Sequence, residues 1–215
     1  MSVSLNATHM SVFAMIATAT MVCAPHPTAA QTQGHHVVIL PDASGSFAGA
    51  TDALYARRVA GDVDARLPAF QMRDVVTIMP FGEYSTRNMA IEAVISRRFA
   101  PQVARRSIAA MISDFPDMVG GTGGGTQQAT HILATLDQMA RRLNCADKAG
   151  HVFVLSDGQE TGQSMTLPTA PIFEGCASFT MIGLRGRTPD ETRQLSGFWM
   201  RWCEAAGFQR CDWLS

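Results

Sequence analysis

The chain has 215 residues, 47% of them hydrophobic and 16% charged, which is enough apolar material for one full core and excludes a disordered or fibrous polypeptide. Seventeen basic residues against eighteen acidic ones leave a net charge of -1 and a pI near 6.6. No surplus field of either sign recommends nucleic acid or an anionic membrane as a partner.

The first element in chain order is not part of a fold. Residues 1–30 contain no Asp, Glu, Lys or Arg, and an apolar stretch from Val12 to Cys23 is followed by Pro25, Pro27, Thr28, Ala29 and Ala30. This pattern predicts a secretory signal peptide cut after Ala30, although the usual positively charged start is missing. The apolar run is shorter than the roughly 20 residues of a spanning helix, so no transmembrane anchor is expected after cleavage. Residues 31–215 are then a single exported domain, periplasmic or secreted. Four cysteines remain in it, Cys145, Cys176, Cys203 and Cys211, an even number suited to an oxidising compartment. Their spacings match no zinc pattern.

Short apolar runs rich in β-branched residues predict strands at His35–Leu40, Val75–Met79, Ala90–Ser96, Val152–Leu155, Phe179–Leu184 and Cys211–Leu214. Between them, helical spacing joins Ala56, Val59, Ala60, Val63 and Leu67, then Val103, Ile108, Met111, Ile112 and Phe115 after Pro101. It joins Ile132, Leu133, Leu136, Met139 and Leu143 in a third segment, and Leu195, Phe198, Trp199 and Trp202 in a fourth. Alternating strands and helices predict an α/β fold, a doubly wound and mostly parallel six-stranded sheet with helices on both faces. The run at Ala90–Ser96 follows its predecessor after too short a turn for a parallel crossover, so it is the expected antiparallel edge strand. Cys145 and Cys176 each precede one of two neighbouring parallel strands. Of the three possible pairings this favours Cys145–Cys176, with Cys203–Cys211 closing a second loop around Gly207.

Ligands of open α/β sheets sit beyond the carboxyl ends of the strands. Three loops there carry chemistry. Asp42, Ser44 and Ser46 alternate along a turn that Gly45 lets curve tightly, although Asp, Ser and Gly are also ordinary turn residues. The segment Gly120–Thr126 precedes a predicted helix and brings a threonine hydroxyl to its start, but lacks the lysine of a phosphate-binding P-loop. Asp157 follows an apolar strand, and Gly158 turns the chain away. Two carboxylates and three hydroxyls make an all-oxygen set suited to a small hard dication, Mg2+ or Mn2+.

In this order the residues resemble the metal-ion-dependent adhesion site of a von Willebrand factor type A domain. That family's D-x-S-x-S motif corresponds to Asp42, Ser44 and Ser46, its threonine to Thr126, and its second aspartate to Asp157. Val76–Gly82 is similar to the family's second strand, and Phe198–Gly207 to its last helix. Three departures stand out: Pro41 directly before Asp42, which predicts that the first strand stops at Leu40; Ser156 in place of a threonine; and Thr122 as a second candidate for the threonine ligand. The resemblance implies that the serines and threonine bind the ion directly while the aspartates act largely through water. A cation held by neutral hydroxyls stays attractive to one more carboxylate.

The expected function is thus a non-enzymatic, metal-dependent protein-binding domain whose partner presents Asp or Glu. One alternative resembles the haloacid dehalogenase phosphatases, with Asp42 as a magnesium-assisted nucleophile. Ser44 stands where that class needs a second Asp, and Lys148 follows its helix where a helical lysine is wanted. A second alternative is a structural envelope subunit with a vestigial metal site. Structural roles are expected for His35 and His36, which face opposite ways on one strand, and for His131, His151, Trp199 and Trp202. Glu83 and Glu160 are either rim acids that read a partner or solvated loop residues.

Overall fold

Each of the six apolar runs forms a strand. The computed structural model describes residues 34–83, 90–121 and 125–215; the expected signal peptide and Thr122 lie outside them. The strands are β1 (His35–Pro41), β2 (Val75–Ile78), β3 (Ile91–Val94), β4 (Ala149–Leu155), β5 (Ser178–Ile182) and β6 (Cys211–Leu214). The helices are α1 (Ala53–Asp64), α2 (Pro101–Ser113), α3 (Phe115–Gly121), α4 (Ile132–Ala140) and α5 (Pro189–Ala206), with a 3-10 turn at Ala48–Ala50.

The strand order is β3-β2-β1-β4-β5-β6. Every neighbouring pair is parallel except β2–β3, so β3 is the antiparallel edge. This is the doubly wound order, and the winding reverses between β1 and β4.

Alternate side chains of each strand feed two cores, as the two-residue period requires. Val38, Leu40, Val152, Val154, Phe179 and Met181 pack beneath α4 and α5, against Leu136, Met139, Trp199 and Trp202. Val37, Ile39, Val76, Ile78, Phe153 and Leu155 pack beneath α1, α2 and α3. Trp199 is fully buried and Trp202 nearly so, which is the structural role expected of both.

The helix ends follow ordinary capping. Asp52 accepts the N–H groups of Leu54 and Tyr55 at the start of α1, at 2.8 and 3.1 Å, and Pro101 occupies the first turn of α2. Gly207 ends α5 at φ +91°, a left-handed conformation that glycine adopts without strain.

Both expected disulfides are present. Cys145–Cys176 closes across 31 positions and Cys203–Cys211 across 8, with Cα separations of 4.9 and 6.1 Å. The first lies against Gly150, where an added Cβ would stand 2.5 Å from the Cys145 sulfur.

Three sequence expectations need correction. β1 runs through Pro41: the Pro41 carbonyl accepts the Phe81 N–H, and the Asp42 N–H bonds the Leu155 carbonyl, so the ladder continues past the imino nitrogen at 2.9 Å in both bonds. Gly120 and Gly121 belong to the end of α3 and not to a loop. Thr126 does not directly precede α4, whose first residue is Ile132 and whose cap position is His131.

Candidate metal centre

The reversal between β1 and β4 leaves a crevice at their carboxyl ends, where two strands hand the chain to loops that depart in opposite directions. Asp42 follows β1 and Asp157 follows β4 by two residues. Because Pro41 pairs with Leu155, Asp42 stands beside Ser156. The Ser156 hydroxyl donates to Asp42 Oδ2 at 2.6 Å, and the Ser44 N–H donates to Asp42 Oδ1 at 2.8 Å. Ser156 Oγ in turn accepts the Gly158 N–H at 3.1 Å. Asp42 and Ser156 are both fully buried.

The hydroxyl groups lie next to this carboxylate. Ser44 Oγ and Ser46 Oγ are 3.1 Å apart. Two adjacent ligands of an octahedral ion with bonds of 2.0–2.1 Å are separated by about 2.9 Å, so this pair already has nearly the required spacing. The Ser46 hydroxyl lies near enough to the Asp157 carboxyl group to favour its ionised form, and Asp157 Oδ1 accepts the Gln159 N–H at 3.0 Å.

Thr126 reaches the same place through a short backbone ladder. The Gly45 N–H bonds the Gln127 carbonyl at 3.1 Å, and the Gln127 N–H bonds the Ala43 carbonyl at 2.9 Å. Gly45 is bare on that side: a Cβ there would stand 3.0 Å from Thr126 Oγ1. The structure thus gathers all five expected residues, Asp42, Ser44, Ser46, Thr126 and Asp157. Asp42, Ser44 and Asp157 are buried, whereas Ser46 and Thr126 are exposed. The donor set fits a small hard cation: oxygen atoms only, two hydroxyls prespaced, and a side-chain-free position facing the third.

The loops are locked from below. Phe47 is buried and meets Tyr55 edge-on at 6.0 Å. Gly183, at φ +99°, makes room for the Phe47 ring, which lies 2.7 Å from where its Cβ would be. Behind Asp157, the indole N–H of Trp199 donates to the Gly158 carbonyl at 2.9 Å. Gly158 has φ +79°, and a Cβ there would stand 2.3 Å from Leu184 Cδ1. The substitution Gly158→Ala combines left-handed strain with a clash, a cost of roughly 1–3 kcal/mol. Thermal melting of this variant should show a fall of several degrees, and an unchanged melting temperature would contradict the packing described.

The hydrogen bonds of Ser156 and Glu160 and the packing of Phe47 were not foreseen from the sequence. Glu160 is half-buried and tied into the fold through both oxygens. Its Oε2 accepts the Leu133 N–H at 2.9 Å, capping α4 from a distant loop, and its Oε1 accepts the Gly162 N–H at 3.0 Å. The neighbouring Thr161 N–H bonds the Thr130 carbonyl at 3.0 Å. Glu83 is half-buried.

Burial dominates the electrostatics. It pushes the Asp42 carboxyl up to about 6 against the hydrogen bonds from Ser156 and Ser44 that favour its ionised form, with the nearby Asp157 adding to the rise. Asp157 is also raised, chiefly by burial. Among the described residues no cationic side chain forms an ion pair with either of these desolvated carboxylates, so the pair is costly when both are charged.

A pH dependence follows. Asp42 keeps its proton to about pH 6 in the fold but only to about 4 unfolded, so the folded state binds more protons between these values. Its contribution to stability therefore grows as pH falls through that window, to at most about 3 kcal/mol. His151, which burial draws down to about 4, works oppositely and loses stability in acid. Melting wild type and Asp42→Asn in parallel without metal, from pH 5 to pH 8, isolates the first effect. The difference, wild type minus variant, should increase toward acid pH; a flat difference would contradict the assignment.

No known family profile and no curated protein sequence matches the chain. Among solved structures it is similar to BatB from Bacteroides thetaiotaomicron, at 14% identity over 85% of this chain and 91% of that one, with a TM-score of 0.49. It is also similar to the D319A mutant of the PilB minor pilin from Streptococcus sanguinis, at 12% identity over 85% of this chain and 58% of that one, TM-score 0.46. A third is manganese-loaded TRAP from Plasmodium vivax, at 13% identity over 85% and 70% of the two chains, TM-score 0.41. With every one of these scores below 0.5, the assignment rests on the chain's own strand order and side chains. By these it is a doubly wound α/β domain whose switch point carries two buried carboxylates and three hydroxyls.

Proposed function

We propose that this chain is an exported protein-binding domain that engages an acidic residue of its partner through a divalent cation held by Asp42, Ser44, Ser46, Thr126 and Asp157. The observation that carries this reading is the convergence of five oxygen-bearing side chains from three loops at one switch point. The hydroxyls of Ser44, Ser46 and Thr126 would hold the ion directly, and Asp42 and Asp157 would act from behind them. When bound, Mg2+ or Mn2+ supplies a positive centre that these neutral hydroxyls leave largely unneutralised, which favours an incoming carboxylate. Asp42 has both oxygens engaged within the fold, so its part is to hold Ser44 and to contribute charge at short range. Export is supported by the two disulfides, and among the described residues no helix is long and apolar enough to cross a membrane.

Two features weigh against the phosphatase alternative. Asp42 is fully buried with both oxygens occupied, a poor posture for attack on a phosphoryl group. Lys148 directly precedes β4, the end of that strand remote from Asp157, and donates its Nζ to the Arg73 carbonyl at 2.7 Å.

The test is capture of envelope proteins by the full chain in Mg2+ and in chelator, for wild type and Thr126→Ala. The expected result is a partner retained by wild type in Mg2+ alone, and released by modification of the partner's carboxyl groups. Equal capture by Thr126→Ala would favour a structural subunit with a vestigial site. Phosphatase turnover abolished by Asp42→Ala would favour the enzyme.

A further inference from the structure

At the amino ends of the two central strands lies a pair of imidazoles whose relation the sequence does not reveal. His35 opens β1 and His151 lies near the start of β4. The register pairs His35 with Ala149 and Val37 with His151, so the two histidines are diagonal neighbours on one face. His35 Nδ1 and His151 Nε2 are 3.1 Å apart, with ring centroids at 5.2 Å and planes inclined by 50°. Both residues are half-buried. His36 points to the other face and bonds Thr77 Oγ1 at 3.0 Å.

Two ring nitrogens this close share a single proton, and at least one presents a lone pair to the other. Two imidazole ligands of a tetrahedral ion, with metal–nitrogen bonds of 2.0–2.1 Å, have their nitrogens about 3.3 Å apart. Replacing the shared proton by a cation thus asks for only a few tenths of an ångström of movement. The far nitrogen of His151, Nδ1, is 2.9 Å from Ser178 Oγ, and Ser178 is buried. The Ser178 hydroxyl is able to accept from Nδ1–H, an arrangement that leaves the Nε2 lone pair for a metal, as the outer hydrogen bonds of metal-bound histidines do. Burial also keeps His151 neutral well below pH 7.

We infer that His35 and His151 form a second cation site, selective for a borderline transition metal such as Zn2+, at the amino ends of the central strands, remote from the hydroxyl-rich centre. β1 separates the two by seven residues, about 20 Å at strand spacing. Their chemistries do not overlap: imidazole suits Zn2+, Cu2+ or Ni2+, whereas hydroxyl and carboxylate oxygens suit Mg2+ and Mn2+. Among the described residues no third His, Cys, Asp or Glu joins the pair, so water or an external donor completes the coordination. The site stands independently of the function proposed above.

Zn2+ titration of the full chain, followed by long-range 1H–15N spectra of the histidine rings, tests this directly. His151 Nε2 and His35 Nδ1 should shift together with one equivalent of Zn2+, and His151 Nδ1 should remain protonated. His151→Gln and His35→Gln should each weaken this binding at least tenfold, and Asp42→Ala should leave it unchanged. Far-ultraviolet circular dichroism of each variant checks that the fold is retained. Zinc that leaves those two nitrogens unshifted in wild type, or that binds the folded His151→Gln variant equally well, would overturn the proposal.

Discussion

Saturating Mg2+ or Mn2+ should raise the melting temperature of the wild-type chain and leave Asp42→Ala unmoved. If affinity resembles that of extracellular calcium modules, with Kd on the order of 10⁻⁴ to 10⁻³ M, a concentration near 10 mM stabilises the fold by about 1.4–2.7 kcal/mol. For a domain of this size that corresponds to roughly 3–10 °C. The cause is the arrangement around Asp42: a fully buried carboxylate, raised to about 6 by desolvation, with Asp157 nearby and, among the described residues, no cationic side chain paired with it. A bound dication relieves that cost in the folded state alone. Asp42→Asn sharpens the test, because it removes the charge while keeping a group able to accept from the Ser44 N–H. In chelator this variant should melt no lower than wild type near pH 8, yet gain nothing from Mg2+. An equal cation-induced rise in wild type and Asp42→Asn would place the cation elsewhere.

Replacing Cys145 and Cys176 together by Ala should be the most damaging change to the metal-free fold. The bridge spans 31 positions, and the loop-closure entropy restored to the unfolded chain is worth roughly 3–4 kcal/mol. The Cys203–Cys211 bridge, spanning 8 positions, should contribute roughly 2–3 kcal/mol on the same reasoning. The larger effect also has a packing component, since the first bridge fills the space above Gly150 and both of its sulfurs are buried in the core beneath α4 and α5. Denaturant unfolding of the two double variants checks the order. A smaller loss for the longer bridge would mean that packing around it, and not chain entropy, decides its worth.

The strands were legible because the central ones are near-continuous apolar runs, with β3 and β6 each interrupted by one acid, and the antiparallel placement of β3 followed from the short connection before it. Helix α3 was not, because Pro116 near its start and Gly120 and Gly121 at its end look like breakers in a local reading. The onset of α4 was hidden for a different reason. Its start is satisfied by Glu160, 27 positions away, so the stop-and-start signals that normally mark a helix are not in the local sequence. At the candidate centre, the five ligand types and their order could be read directly. Ser156 could not, because its value lies in the β1–β4 register that sets it beside Asp42. The same register joins His35 to His151 across 116 positions, which is why neither histidine announces a partner. Residues that follow two strands predicted to be parallel neighbours are the signal that would have found Ser156.

The most direct measurement is a crystal structure of the full chain grown in excess Mn2+ with anomalous diffraction recorded at the manganese edge. A single strong peak should lie within about 2.2 Å of Ser44 Oγ, Ser46 Oγ and Thr126 Oγ1, with Asp42 and Asp157 behind them. Those three hydroxyls splayed apart with no anomalous density between them would contradict the account.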